Sequence, residues 1–109
     1  MKATDSRTDA LTIVRGRFPA PVDPSAVARD WRGRGYSCTS FADPPGQEWN
    51  GFVHRTNELV TVVAGCLRVE VGAAAAELGP GDELFIPSGA VHSVHNADRG
   101  TTRWLFGYD

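Results

Sequence analysis

Residues Gly81 to Asn96 read GDELFIPSGAVHSVHN, and this stretch decides the fold. A Gly-Asp pair turns the chain into a short apolar run, Glu83 to Ile86. Pro87-Ser88-Gly89 turns it again, and His92 follows three residues later. Gly and Pro punctuate local structure, so the segment predicts a strand, a tight corner and a second strand. An imidazole is delivered just past that corner. The fixed residues are Gly81, Pro87, Gly89, His92 and Asn96, spaced G-x5-P-x-G-x2-H-x3-N.

Outward from this segment the same texture continues. Tyr36 to Ala42 and Gln47 to His54 read as strands on either side of an Asp43-Pro44-Pro45-Gly46 turn. Leu59 to Ala64 is apolar and β-branched, the pattern of a strand buried on both faces. Leu67, Val69 and Val71 alternate with Arg68 and Glu70, the pattern of a half-buried strand. Gly72 to Ala76 reads as a small-residue turn or bulge. After a turn at Asp98-Arg99-Gly100, Trp104, Phe106 and Tyr108 alternate along a last aromatic strand. Many short strands at regular turn spacing predict an all-β sandwich or barrel.

The first third differs. Residues 1–9 are polar and are expected to be flexible. Leu11 to Val14 reads as a first strand, and Pro19, Pro21 and Pro24 interrupt regular structure after it. Asp23-Pro24 predicts a helix start, with Asp23 as cap and Pro24 in the first turn. That helix runs to Trp31, before Gly33 or Gly35. Val27 and Trp31 share one of its faces and are expected to lie against the barrel.

A chain of 109 residues with a formal charge of −2 fits one small domain, residues 10–109, and carries no basic block. Arg29, Arg32 and Arg34 read as an ordinary solvated face, so nucleic acid is not an expected partner. Cys38 and Cys66 lack metal or redox spacing and read as thiols in a reducing compartment. MKATDSRTDA has no apolar core and is not a secretion signal. No run approaches the roughly 20 apolar residues of a membrane span. A cytoplasmic protein without membrane contact is the expectation.

The spacing of Gly81 to Asn96 resembles the second signature of the cupin family at all five positions. Gly46, His54, Glu58 and Gly65 resemble the first, G-x5-H-x-H-x3-E-x6-G, with one departure: Phe52 stands where the family has its first histidine. The resemblance implies a double-stranded β-helix or jelly-roll barrel, here with a short N-terminal helix. It also implies a metal site at His54, Glu58 and His92. On a straight strand His54 and Glu58 would lie roughly 13 Å apart at about 3.3 Å per residue, too far to share an ion. A turn at Arg55-Thr56-Asn57 brings them together, and Asn suits such a turn. Two imidazoles and one carboxylate suit non-haem Fe(II), and equally Mn, Ni or Zn.

Trp49 and Phe52 are candidate pocket walls, with core packing the alternative. His95 has the opposite strand parity to His92 and is expected to face away. Asn96 is expected to close a turn before Asp98. Asp82 and Glu83 read as turn and solvent residues. Tyr36 and Tyr108 could reach a pocket, but nothing in the sequence selects them.

The first functional expectation is a metal-dependent enzyme on a small organic substrate, of dioxygenase, isomerase or lyase type. The second is a metal-free cupin that binds or senses a small molecule, with His54, Glu58 and His92 as polar pocket groups. The third is a subunit with a vestigial pocket. Phe52 favours the last two and the retained triad the first. A homodimer is also expected, by resemblance and from apolar residues such as Leu59, Val63 and Phe85 assigned to the outer faces.

Overall fold

A computed structural model describes residues 11–109. The segment 1–9 therefore lies outside the described residues. The elements follow in the order β1 (Thr12–Val14), α1 (Pro24–Gly33), β2 (Thr39–Asp43), β3 (Glu48–Phe52) and β4 (Glu58–Ala64). Then come β5 (Leu67–Val71), β6 (Ala74–Leu78), β7 (Glu83–Ile86), β8 (His92–Asn96) and β9 (Thr102–Tyr108). Two antiparallel sheets result, a five-stranded one ordered β1-β7-β4-β9-β2 and a four-stranded one ordered β3-β8-β5-β6. This is the all-β jelly-roll architecture with one short helix.

The alternation read from sequence sorts the side chains. Val60, Val62, Leu84, Ile86 and Trp104 of the first sheet meet Leu67, Val69, Val71, Leu78 and Val94 of the second in one buried cluster. Each such aliphatic side chain contributes roughly 1.5–3 kcal/mol on burial, so this layer holds the sheets together. The opposite face of β4 and its neighbours carries a second cluster: Leu59 and Leu105, packed with Val22, Val27 and Trp31.

That second cluster corrects the basis of the dimer expectation. Leu59, Val63 and Phe85 do not form a bare outer face, because α1 lies over them within the same chain. The helix starts where the sequence placed it, with the Asp23 carboxylate accepting from Ser25 N–H at 3.0 Å. It ends two residues beyond Trp31, and Val27 and Trp31 are its buried residues.

Three further readings are corrected. Ala74–Leu78 is a strand, paired with β5 from Val71↔Ala74 to Leu67↔Leu78. Only Gly72 and Ala73 turn, and Gly72 takes φ +59°, open to a residue without Cβ. Alanine is a weak strand former, and pairing together with the buried Leu78 overrides it. Glu83 is buried, not solvated: it accepts from the Trp31 indole at 2.7 Å and pairs with Arg34. Arg34 is correspondingly part of an ion-pair group with Asp30 and Glu83, not of a free solvated face.

Candidate metal centre

Three strand ends meet at one end of the space between the sheets. Glu58 opens β4 and lies opposite Ile86 on β7 and Tyr108 on β9. His92 opens β8, opposite Phe52 at the end of β3. His54 arrives from the loop between β3 and β4.

The Pro-Ser-Gly corner that delivers His92 also fixes His54. Gly89 N–H donates to the His54 carbonyl at 2.8 Å. Ser88 donates its hydroxyl to the Arg55 carbonyl at 2.8 Å and its N–H to the Asn57 side chain at 2.9 Å. Gly89 has φ +83°, a conformation in which a Cβ would be strained. Asn57 serves the turn through its side chain, which also donates to the Asp109 carboxylate at 2.9 Å. The two sequence signatures are thus stitched together by hydrogen bonds.

The turn closes the gap expected on a straight strand. His54 Nε2 is 3.7 Å from Glu58 Oε1, and His92 Nε2 is 3.2 Å from the same oxygen. One ligand-type atom from each residue lies within 4.8 Å of the others. Glu58 and His92 are buried, and His54 is half-buried.

The cluster sets one carboxylate against two imidazole nitrogens. His92 Nδ1 lies 3.1 Å from the Ala90 carbonyl, which can only accept, so Nδ1 carries the proton. In neutral His92 the bare Nε2 therefore faces the carboxylate. Glu58 Oε1 is buried with no aligned donor. Burial alone would lower the His92 pKa, but Glu58 beside it and the Ala90 carbonyl outweigh that and raise it above the usual value. The Tyr108 hydroxyl sits 3.3 Å from His54 Nε2, and burial, then the Glu58 charge, raises its pKa.

These groups form the polar end of a cavity of about 230 Å³. Trp49 and Phe52 line it, and so do Phe41, Trp104, Phe106 and Tyr108. Phe52 stacks on His54 at 6.1 Å between ring centroids, so a phenyl ring fills the place of the family's first histidine. Asp43, read as a turn residue, is a buried anchor instead. Its Oδ2 accepts the Trp49 indole at 2.9 Å and the Trp104 indole at 3.0 Å.

His95 faces away from the cluster, with Nδ1 3.4 Å from Glu48. Asn96 closes the expected turn, accepting from Asp98 N–H at 2.9 Å and donating to the Asp43, Pro44 and Gly100 carbonyls. Asp82 is a turn residue, accepting from Gly79 and Gly16 N–H groups. The sequence signal for Tyr108 was the β9 alternation, which puts it on one face with Trp104 and Phe106. No comparable signal marked Asp43.

A family profile described as "Cupin domain" matches residues 40–108. The chain belongs to the cupin family. Among solved structures, this cupin is similar to TT1209 from Thermus thermophilus, at 28% identity and TM-score 0.62, covering 67% of this chain and 71% of that one. The Drosophila melanogaster CENP-C cupin domain matches at 18% identity and TM-score 0.62, over 66% of this chain and 59% of that one. A variant of salicylate 1,2-dioxygenase from Pseudoaminobacter salicylatoxidans matches at 18% identity and TM-score 0.61, over 68% of this chain but 21% of that one. The last two show the shared fold alone. No curated protein matches the sequence.

Proposed function

We propose that His54, Glu58 and His92 hold one divalent transition metal, Fe, Mn, Ni or Zn, and that the chain is a metal-dependent cupin enzyme acting on a small organic substrate. The observation that carries this reading is the orphaned Glu58 Oε1, faced by the Nε2 atoms of two imidazoles. Bonds of about 2.1 Å place neighbouring donor atoms about 3–3.5 Å apart, close to the spacings at Glu58 Oε1. The donor set is the two-histidine, one-carboxylate face that leaves coordination positions open. Such an ion would supply a Lewis acid or an oxygen-activating centre.

The chain's own residues have definite tasks in this reading. The Ala90 carbonyl fixes the His92 tautomer, the kind of outer partner that orients a ligand histidine. The Tyr108 hydroxyl lies at the polar end, where it can exchange a proton with a substrate. Phe52 keeps the fourth family position free of a donor, and aromatic rings make the rest of the wall apolar. Dioxygenase, isomerase and lyase chemistry all fit this arrangement. Cobalt(II) titration tests the site: the native chain is expected to develop visible d–d absorption at one equivalent, and His92→Ala to lose it while keeping its β-sheet circular dichroism. An unchanged titration in the variant would exclude the assignment.

The metal-free alternative, a cupin that binds or senses a small molecule, is favoured by Phe52 in a ligand position. A cupin neighbour, CENP-C of Drosophila, is described as bound to CAL1, so the fold also serves protein binding. We further propose that residues 10–109 form one barrel domain and that the chain is a cytoplasmic homodimer without nucleic-acid partners. The two free thiols support the compartment, and no helix among the described residues is long and apolar enough to cross a membrane. Exposed Val53 and Val91 support a partner copy. Sedimentation as a monomer at micromolar concentration would remove the dimer.

A further inference from the structure

We infer that the cavity takes a planar, single-ring aromatic molecule bearing one anionic oxygen head group. The head-group half rests on the metal reading above, and the ring half does not.

Six aromatic rings wall the cavity: Phe41, Trp49, Phe52, Trp104, Phe106 and Tyr108. The polar atoms gather at one end, where His54, Glu58, His92 and the Tyr108 hydroxyl meet. A ligand matching that division is apolar along its body and polar at one tip. A cavity of roughly 150 Å³ is enough for benzene. At about 230 Å³ this one holds a single ring with room for a small substituent.

The walls are fixed before any ligand arrives. Asp43 Oδ2 accepts the Trp49 indole from β3 in one sheet and the Trp104 indole from β9 in the other. Phe41 stacks on Trp49 at 5.6 Å and 25°, and meets Trp104 edge-on at 5.7 Å. Rings held in set planes favour a partner that can stack or meet them edge-to-face, which a flat ring does and a puckered one does not.

The charge of the head group follows from what is absent. No lysine or arginine is among the described residues that line the cavity, and Glu58 repels an anion. A cation held by His54, Glu58 and His92 would offset that repulsion and favour an anionic head group. Its binding is coupled to metal occupancy, whereas a neutral ring compound needs no metal.

Tryptophan fluorescence titrations of the full chain, with metal content measured on the same samples, separate these claims. On metal-free protein, benzyl alcohol is expected to bind about 3- to 10-fold tighter than cyclohexylmethanol. On protein loaded with zinc alone, benzoate is expected to bind about 10- to 100-fold tighter than acetate, the gain from burying the ring. It should also exceed cyclohexanecarboxylate and weaken at least tenfold when zinc is removed. Trp49→Leu should erase the ring preference and leave zinc uptake intact. Equal binding of benzyl alcohol and cyclohexylmethanol overturns the ring half, whatever the metal does. Zinc uptake without a benzoate advantage over acetate overturns the ligand class and leaves the metal centre standing. Absence of zinc uptake, with the ring preference kept, overturns the head group and the metal centre together and upholds the ring.

Discussion

Trp31→Ala tests how the helix is joined to the barrel. Trp31 is 0% exposed, packed on Leu59 and Leu105, and its indole donates to the buried Glu83 carboxylate. Gly107 on β9 makes room for it: a Cβ there would come within 3.2 Å of the Trp31 ring and overlap the Ser37 carbonyl. Removing so large a buried side chain costs about 3–5 kcal/mol. Total stability of a small domain is only about 5–15 kcal/mol, so the loss is a large fraction. With a urea slope of about 1–3 kcal/mol per molar, the unfolding midpoint should fall by roughly 2 M. The exposed Leu59, Val63 and Phe85 should then bind a hydrophobic dye, while cobalt(II) uptake, on the other side of the sheet, stays at one equivalent. Trp31→Phe, which loses the charged hydrogen bond and little volume, should cost about 1.5–3 kcal/mol. A midpoint shift below about 0.5 M for Trp31→Ala would refute the role given to this helix.

Asp82 gives a pH signature. Burial would raise its pKa, but the N–H groups of Gly79 and Gly16 and the Arg15 guanidinium hold it below the ordinary carboxylate value. Its stabilisation is therefore present above the unfolded value of 3.8 and is lost as pH falls through the lower folded value. Native protein should be more stable than Asp82→Asn at pH 7 in urea melts, with the gap closing only below about pH 4. Asp43→Ala removes the shared acceptor of two indoles and should cost about 2–4 kcal/mol, with a changed tryptophan emission spectrum. Phe52→His supplies a donor at the family's first position, and the variant should keep its metal through a chelator dialysis that strips the native chain.

The succession of short strands was legible because turn residues fall between alternating runs. Gly81 to Asn96 alone set the strand–corner–strand that delivers His92. The strand β6 was hidden because its three alanines carry no strand signal, and only pairing with β5 makes them part of one. Leu59, Val63 and Phe85 were assigned to a bare face because alternation shows that a face is apolar, not what covers it. Glu83 was read as solvated because its partners, Trp31 and Arg34, lie 49 to 52 residues away. Asp43 was hidden because its acceptor role depends on Trp49 and Trp104 meeting from different sheets, Trp104 lying 61 residues away. His54, Glu58 and His92 were legible as a set because two signatures fix their spacing. Their convergence on one oxygen depends on the Gly89, Ser88 and Asn57 hydrogen bonds, which no spacing shows.

The central claim is that His54, Glu58 and His92 hold a metal ion. Elemental analysis of untagged protein purified without added metal, beside Glu58→Ala, tests it most directly. The account predicts close to one transition-metal ion per native chain and none in the folded variant. A native chain that stays empty after anaerobic reconstitution with iron, manganese, nickel and zinc would contradict it.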